Sequence, residues 1–448
     1  MQALGIGKGD PVALLMPNGE QWLSLFYGAA LLGAVTVPVN TRFKAAELEF
    51  CLKQADCKAL FYVERFLNND YGAMVREIKP PLAFDVSRQD LPAGAFAAGG
   101  VSPSDILLIQ FTSGTTAYPK GVMLSHDNML RDAWAAGMRV GVRPEDRYFN
   151  CRPFFHVAGS TLSALMALVH GCCLVTLPTF EAGAALEMME RERCTILSGN
   201  DTLFQMLMGH EHFPKRKLSL RGGWAAAGPQ TMRKIIDVLG AKQICAAYGL
   251  SEASPNVVMS DWRDPENLRI NGLALPHEGV ELRISSESEI QVRGWNVMRG
   301  YYNNPEANAK AFTADGWLRT GDLGELAADG RLRMVGRLKD VFRVGGENVA
   351  PAEVEEVLLA HPAVETAQVI GVPDARLGEV PCAYVTLKAG FSPTEGELLG
   401  YMKERCANFR VPRYLRVVAD FEAIGMTASG KVQKTKLREH ALKEFKLA

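Results

Sequence analysis

Two stretches of this chain carry no formal charge, Trp22 to Val39 and His156 to Phe180, and both are built alike. In each, an apolar helix-like segment reaches a glycine and then a β-rich run that ends in proline: Gly33-Ala-Val-Thr-Val-Pro38 and Gly171-Cys-Cys-Leu-Val-Thr-Leu-Pro178. Either stretch is long enough for a marginal membrane span. Glycine, proline and hydroxyl residues interrupt both, however, and the second holds His156 and His170. A helix, a tight turn and a buried parallel strand explain them better. Because the pattern occurs twice, it predicts two similar α/β layers.

The rest of the first three quarters has the same rhythm. Strand-like runs at Pro11–Leu15, Val35–Val39, Thr195–Ser198 and Gln243–Ala247 alternate with helical patterns such as Gln21–Leu32 and Pro229–Leu239, where Pro229 suits a first helical turn. From Ser260 to Val335 the pattern turns to short strands with Asp315-Gly316 and Asp329-Gly330 turns. A fresh α+β pattern follows: a helix from Ala352 to Ala360, strands Glu365–Val372 and Pro381–Leu387, and a helix near Thr394–Cys406. The expected fold class is α/β. A large N-terminal domain, residues 1–338, holds layered α/β subdomains plus a β-rich piece, and a small mobile α+β domain spans 339–448. No low-complexity linker separates them, so motion between them needs a tight hinge at Leu338–Asp340.

Forty-nine basic side chains face fifty acidic ones, a net charge of -1, so nothing points to nucleic acid or a charged membrane surface. The nine cysteines show neither CxxC pairs nor zinc-ligand spacing. With no secretory signal pattern at Met1–Lys8, the expectation is a reduced, cytoplasmic protein without an integral membrane segment. A homo-oligomer stays open.

Four segments carry chemistry. The first runs from Leu107 through Thr112, Ser113, Gly114, Thr115 and Thr116 to Lys120, a strand entering a hydroxyl- and glycine-rich loop that ends in a lysine. Free backbone N–H groups, hydroxyl donors and one cation are what a polyphosphate cradle needs. There is no GxxxxGK[ST] and no GxGxxG opening a helix, which disfavours P-loop kinases and dinucleotide enzymes. The second is Tyr248-Gly-Leu-Ser251-Glu252, which offers an aromatic face, a hydroxyl and a carboxylate suited to Mg2+. Its Gly249-Leu-Ser251-Glu-Ala253 core is also one substitution from the GxSxG elbow of serine hydrolases, a rival that leaves the Thr112–Lys120 loop without a task. The third is Thr320-Gly-Asp322-Leu-Gly324 with Arg337 and, further on, Gly345-Gly346-Glu347. Asp322 can accept two ribose hydroxyls and Arg337 can donate to ribose or phosphate, although each alone reads as a turn carboxylate and a surface arginine. The fourth is Thr427-Ala-Ser-Gly-Lys431, a loop presenting a lysine.

Taken in order, the four segments resemble the adenylate-forming superfamily of acyl-CoA synthetases, peptide-synthetase adenylation domains and firefly-type luciferases. The resemblance spans nearly the whole chain. It implies that Thr112, Ser113, Gly114, Thr115, Thr116 and Lys120 wrap the phosphates of ATP, that Tyr248 lies by adenine, Ser251 by the α-phosphate and Glu252 on Mg2+. It likewise implies that Asp322 and Arg337 hold the ribose, that Lys431 is the catalytic lysine and that Lys339 is the hinge. Gly345, Gly346 and Glu347 match the loop that meets the pantetheine arm of coenzyme A, and His156 matches a motif bordering the acyl pocket. The chain departs from the family at Ala117, where glycine is usual, at Ser251 for threonine, at Gly425 for proline, and in lacking the customary segment before Ala3.

The reaction this implies joins a carboxylic acid to CoA. The acid attacks the α-phosphorus of ATP, pyrophosphate leaves, and the CoA thiolate displaces AMP from the mixed anhydride. A fatty or comparably hydrophobic acid is the expected small-molecule substrate. The alternatives are loading of a separate carrier protein, a serine hydrolase using Ser251, and a non-catalytic adenylate binder.

Overall fold

The computed structural model describes residues 1–88, 97, 100–112, 119–426 and 432–447. Among these, the strands form four larger sheets and a two-stranded ribbon. The first sheet has the order Ala83–Asp85, Ala59–Tyr62, Pro11–Leu15, Val35–Pro38, Ile106–Thr112, Lys120–Ser125. Neighbours are parallel except for the last pair. The Glu20–Leu32 helix ends at Gly33, whose φ of 75° is the left-handed turn that lets the chain re-enter the sheet as the buried strand Val35–Pro38.

The second sheet has the order Cys173–Thr176, Arg147–Asn150, Ile196–Asn200, Gly222–Ala226, Gln243–Gly249, Asn256–Met259, Leu275–Pro276. It is parallel as far as Gln243–Gly249 and antiparallel beyond. The second helix–glycine–strand unit is also present: helical turns from Val157 to His170, Gly171 with φ 69°, then Cys173–Thr176. Here the expected burial is only partial. This strand lies at the sheet's edge and Cys173 is exposed.

The seam between the two layers is the largest apolar core, and it joins Trp22 and Phe26 to Tyr148, Phe154, Trp224 and Cys245. The His126–Val140 helix contributes Met129, Ala133 and Ala136 to that core. Its start is fixed reciprocally: Ser125 Oγ accepts from Asn128 N at 3.2 Å and Asn128 Oδ1 from Ser125 N at 2.9 Å, a cap worth about 1 kcal/mol.

The third sheet is an antiparallel meander of Val280–Ile284, Glu289–Gly294, Leu318–Leu326 and Leu332–Arg337. Two short helices, Glu266–Ile270 and Pro305–Ala311, interrupt what reads in sequence as strands and turns. Each follows or begins with a proline and is too short to show a helical period. The fourth sheet combines Glu347–Val349, Phe342–Val344, Gly378–Leu387, Val364–Asp374 and Tyr414–Val417. Its core draws only on residues from Phe342 onward. The Pro351–Leu359 and Glu395–Lys403 helices lie where the sequence predicts them, the latter capped by Thr394. No helix among the described residues is long and apolar enough to cross a membrane.

His277 is a buried group whose charge state is settled by this packing. It is 3% exposed, with Nε2 2.8 Å from Asn256 Oδ1, and burial, reinforced by Arg139, moves its pKa from 6.5 to about 3. Between these values the unfolded chain binds a proton that the folded one refuses, so stability is full above pH 6.5 and falls as pH drops toward 3. The slope is at most about 1.4 kcal/mol per pH unit. Urea midpoints at pH 7 and pH 5 should therefore separate more in the native protein than in His277→Gln. Equal separations would mean that His277 does not govern the acid limb.

Candidate active site

The parallel strands of the second sheet end at Asn150, Asn200, Ala226 and Gly249, and open α/β sheets bind ligands beyond such carboxyl ends. The turn after Gly249 is tight. A Cβ at this position would lie 1.8 Å from the Pro255 carbonyl oxygen, so only glycine lets the returning strand come this close. Ser251–Ala253 then form a single helical turn, which holds Ser251 and Glu252 half-buried.

Two side-chain chains converge here. In the first, Tyr301 Oη donates to Glu252 Oε1 at 2.9 Å, and the Lys120 ammonium stands 5.0 Å from the Tyr301 ring centroid. The link has a backbone cause. Arg299–Tyr302 run antiparallel to Lys120–Ser125, with Met123 N to Gly300 O at 2.9 Å and Tyr302 N to Gly121 O at 2.8 Å, while Met298 N holds the Glu252 carbonyl at 2.9 Å. Burial and the neighbouring Glu252 charge push the Tyr301 phenol up, so it stays a donor.

In the second, Tyr248 Oη donates to Asp322 Oδ2 at 2.8 Å, and Arg337 Nε lies 3.3 Å from Asp322 Oδ1. Asp322 and Arg337 are direct partners across the strands Leu318–Leu326 and Leu332–Arg337. Asp322 is 4% exposed, and its backbone N–H donates to Thr320 Oγ1 at 3.1 Å. Burial, then the Asp322 carboxylate, raises the Tyr248 phenol well above its ordinary value. With its hydroxyl tied down, the Tyr248 ring is held in one orientation.

Five of the residues named from sequence, Lys120, Glu252, Tyr248, Asp322 and Arg337, thus fall into these two groups. Thr112 and Lys120 face each other across the Ile106–Thr112 and Lys120–Ser125 strands; Ser113, Gly114, Thr115, Thr116 and Ala117 lie outside the described residues. Lys431 does too, between the paired residues Met426 and Val432. Gly425 has φ 137°, which no proline can adopt. His156 caps the turn Val157–Gly159, its Nδ1 accepting from Ala158 N at 3.1 Å. Lys339 is exposed in the helical turn Leu338–Asp340 directly after Arg337. Gly345 and Gly346, with φ 58° and 104°, form a two-residue hairpin loop that ends at the exposed Glu347. Tyr301 escaped the sequence reading. Tyr301 carries no local signature, and only its pairing with the Lys120 strand brings it in.

The elbow reading fails on context. After Ser251 comes one helical turn and an antiparallel strand, not a helix. The downstream histidines are engaged elsewhere: His277 with Asn256, His361 against Tyr401 and His440 against Tyr384. Glu252 is a lone half-buried carboxylate, the kind of single donor that Mg2+ takes when phosphate oxygens supply its other ligands.

Comparison with known proteins gives the family. The family model described as AMP-binding enzyme matches residues 1–302, and that described as AMP-binding enzyme C-terminal domain matches 353–431. A 3-[(3aS,4S,7aS)-7a-methyl-1,5-dioxo-octahydro-1H-inden-4-yl]propanoyl:CoA ligase of Rhodococcus jostii is 37% identical over 97% of this chain and 89% of its own. The mitochondrial medium-chain acyl-CoA ligase ACSF2 of Rattus norvegicus is 32% identical over 99% and 81%. Among solved structures, the anthranilate CoA ligase AuaEII in complex with anthranoyl-AMP superposes with a TM-score of 0.89 at 26% identity, covering 100% of this chain and 90% of that one.

The Tyr248–Asp322–Arg337 group generates a test. Asp322→Asn keeps the shape but weakens the acceptor of the Tyr248 hydroxyl and unpairs Arg337. Calorimetry should then show nucleotide affinity falling about tenfold while the fold persists. Unchanged affinity in a folded variant would reduce Asp322 to a turn residue.

Proposed function

The chain belongs to the AMP-binding enzyme family, and from that premise we propose that it is an ATP-dependent carboxylic acid:CoA ligase that works through an acyl-adenylate and releases pyrophosphate and AMP. The observation that carries this reading is the placement of the Lys120–Tyr301–Glu252 group beside the Tyr248–Asp322–Arg337 group at the carboxyl ends of the second sheet. One group suits a polyphosphate and its cation, the other a nucleoside.

ATP binds with its base against the Tyr248 ring and its ribose at Asp322 and Arg337. Thr112, Ser113, Gly114, Thr115, Thr116 and Lys120 surround the phosphates, and Ser251 meets the α-phosphate. Glu252 would hold Mg2+, which neutralises phosphate charge. The acid lies beyond His156 and presents its carboxylate to the α-phosphorus. Lys431 stabilises the oxygens on which charge builds as that bond forms. Relatives with 32% and 37% identity are named for a medium-chain acid and a fused-ring propanoate, which supports a hydrophobic acid and a place in fatty acid or comparable acid metabolism. All nine cysteines are unpaired, in keeping with the cytoplasm.

The two half-reactions need different groups at one place. Residues 339–448 therefore turn as a mobile domain about Lys339, withdrawing Lys431 and bringing Gly345, Gly346 and Glu347 to the pantetheine arm. The positive φ values at Gly345 and Gly346 favour glycine at both positions, and two glycines leave the loop tip without a Cβ where a close-approaching thiol arm would meet it.

Pyrophosphate release across a panel of acids, with and without CoA, tests the assignment directly; release that no acid stimulates would refute it. Lys431→Ala should lower acyl-AMP formation by about 100-fold or more, with less effect on CoA transfer from supplied acyl-AMP. Equal losses in both steps would contradict that role. Lys339→Pro, which fixes φ and stiffens the turn, should spare adenylation and slow thioester formation in rapid-quench runs. Unchanged transfer would remove Lys339 as the hinge.

A further inference from the structure

Arg152 lies two residues past the strand Arg147–Asn150, at the carboxyl edge of the second sheet and four residues before His156. Its guanidinium carbon sits 4.4 Å from the ring centroid of Trp224, which is 3% exposed and faces the seam between the two α/β layers. Arg152 as a whole is half-buried, but its Nε is shut off from solvent without a hydrogen-bond partner, and among the described residues the guanidinium has no carboxylate partner. The neighbouring polar groups are occupied. The Tyr148 hydroxyl is shared among Trp224 Nε1 at 3.1 Å, Leu162 O at 2.7 Å and Ser198 Oγ.

The backbone around Arg152 is pinned, so this placement is built. The Arg152 carbonyl accepts from Asn18 Nδ2 at 2.9 Å and from Asn150 Nδ2 at 2.8 Å, and Phe154 N donates to Asn18 Oδ1 at 2.7 Å. The segment Ser160–Leu165, just past His156, is a widened π-helical turn, a feature frequent at functional sites. Within it, Thr161 is fully buried and its Oγ1 lacks a partner.

Even half-buried, an arginine with no counter-charge and an enclosed, unpartnered Nε carries a desolvation cost that stacking on a tryptophan offsets only in part. Aliphatic and aromatic walls would suffice for an unsubstituted hydrocarbon acid. We infer that Arg152 is a specificity-determining residue that reads a second hydrogen-bond acceptor on the acid, remote from the reacting carboxylate, so that the substrate is an oxo acid or a dicarboxylic acid with an apolar body. The planar donor edge of the guanidinium suits either oxygen, singly for a ketone and in pairs for a carboxylate. This inference rests on the ligase reading above and narrows its substrate class.

The experiment compares acids of equal length, a plain monocarboxylic acid, its oxo derivative and its α,ω-diacid, by kcat/KM for pyrophosphate release. It also records the thermal shift each acid gives with ATP withheld. The native enzyme should favour one of the acceptor-bearing acids by about tenfold or more, and only acceptor-bearing acids should raise the melting temperature. A preference for the oxo acid identifies a neutral acceptor, and one for the diacid an anion. Arg152→Met should abolish the preference while keeping or improving activity on the plain acid, and Arg152→Lys should restore part of it for the diacid alone.

Equal preference by the native enzyme overturns the inference whether or not the variants fold, and so does an equal loss on all acids in a folded Arg152→Met. If none of a broad set of acids releases pyrophosphate, the ligase reading itself fails. If plain acids react without discrimination, only the role of Arg152 does.

Discussion

The site is held together by one buried residue, Asn256. Its N–H donates to Asp132 Oδ2 at 3.3 Å, its carbonyl accepts from Asn296 Nδ2 at 2.9 Å, and its side-chain Oδ1 faces His277 Nε2 at 2.8 Å. These partners come from the His126–Val140 helix, the segment after Glu289–Gly294 and the chain leaving the second sheet. Ser254 Oγ adds a bond to Asn296 O at 2.6 Å, and Asn128 Nδ2 reaches the carbonyls of Trp295 and Val297. Two residues before Ser254 stands Glu252, and four residues after Val297 stands Tyr301. The same knot therefore fixes both ends of the Tyr301–Glu252 hydrogen bond.

Apolar packing alone would not hold these segments in one register, because a hydrophobic contact tolerates sliding and a hydrogen bond does not. The cost is visible in the charges. Asp132 is completely buried, its pKa is raised by that burial, and its Oδ1 has no partner. His277 is held neutral. Both groups give up their ordinary ionisation to keep the geometry. Their acid–base consequences oppose each other: neutral His277 costs stability as pH falls, whereas a carboxyl that prefers its proton costs stability as pH rises above its unfolded value.

The sequence shows the layers clearly, because a parallel buried strand leaves a continuous apolar run and the glycine that precedes it has no competing use. Val35–Pro38 and Gln243–Gly249 are readable for that reason. Glu266–Ile270 and Pro305–Ala311 are not, since neither is long enough to develop a helical period. Tyr414–Val417 is equally silent, a four-residue strand placed by a parallel partner some thirty residues upstream. The site divides in the same way. Tyr248, Ser251, Glu252, Asp322 and Arg337 sit in compact motifs, whereas Tyr301, Asn256, Asp132 and Arg152 acquire meaning only through contacts distant in sequence. A lone tyrosine after a glycine, or an arginine before a proline, has no local reading that favours function over packing.

The position of the Asp322–Arg337 pair bears on how the proposed rotation leaves the nucleotide contacts undisturbed. The Arg337 side chain is 46% exposed, so its attraction to Asp322 is screened and contributes little to stability. Its value is geometric. The ladder sets Arg337 opposite Asp322, and Tyr248 holds Asp322 from the other side. Arg337 is the last residue of its strand, and the exposed turn Leu338–Asp340 begins immediately after it. A torsion change at Lys339 would thus act two residues beyond the proposed ribose contact Arg337. The strand before it is paired into the third sheet, and the apolar core of the segment that follows draws on residues from Phe342 onward. The proposed rotation at that point would exchange the groups supplied by residues 339–448 and leave the adenylate where it formed.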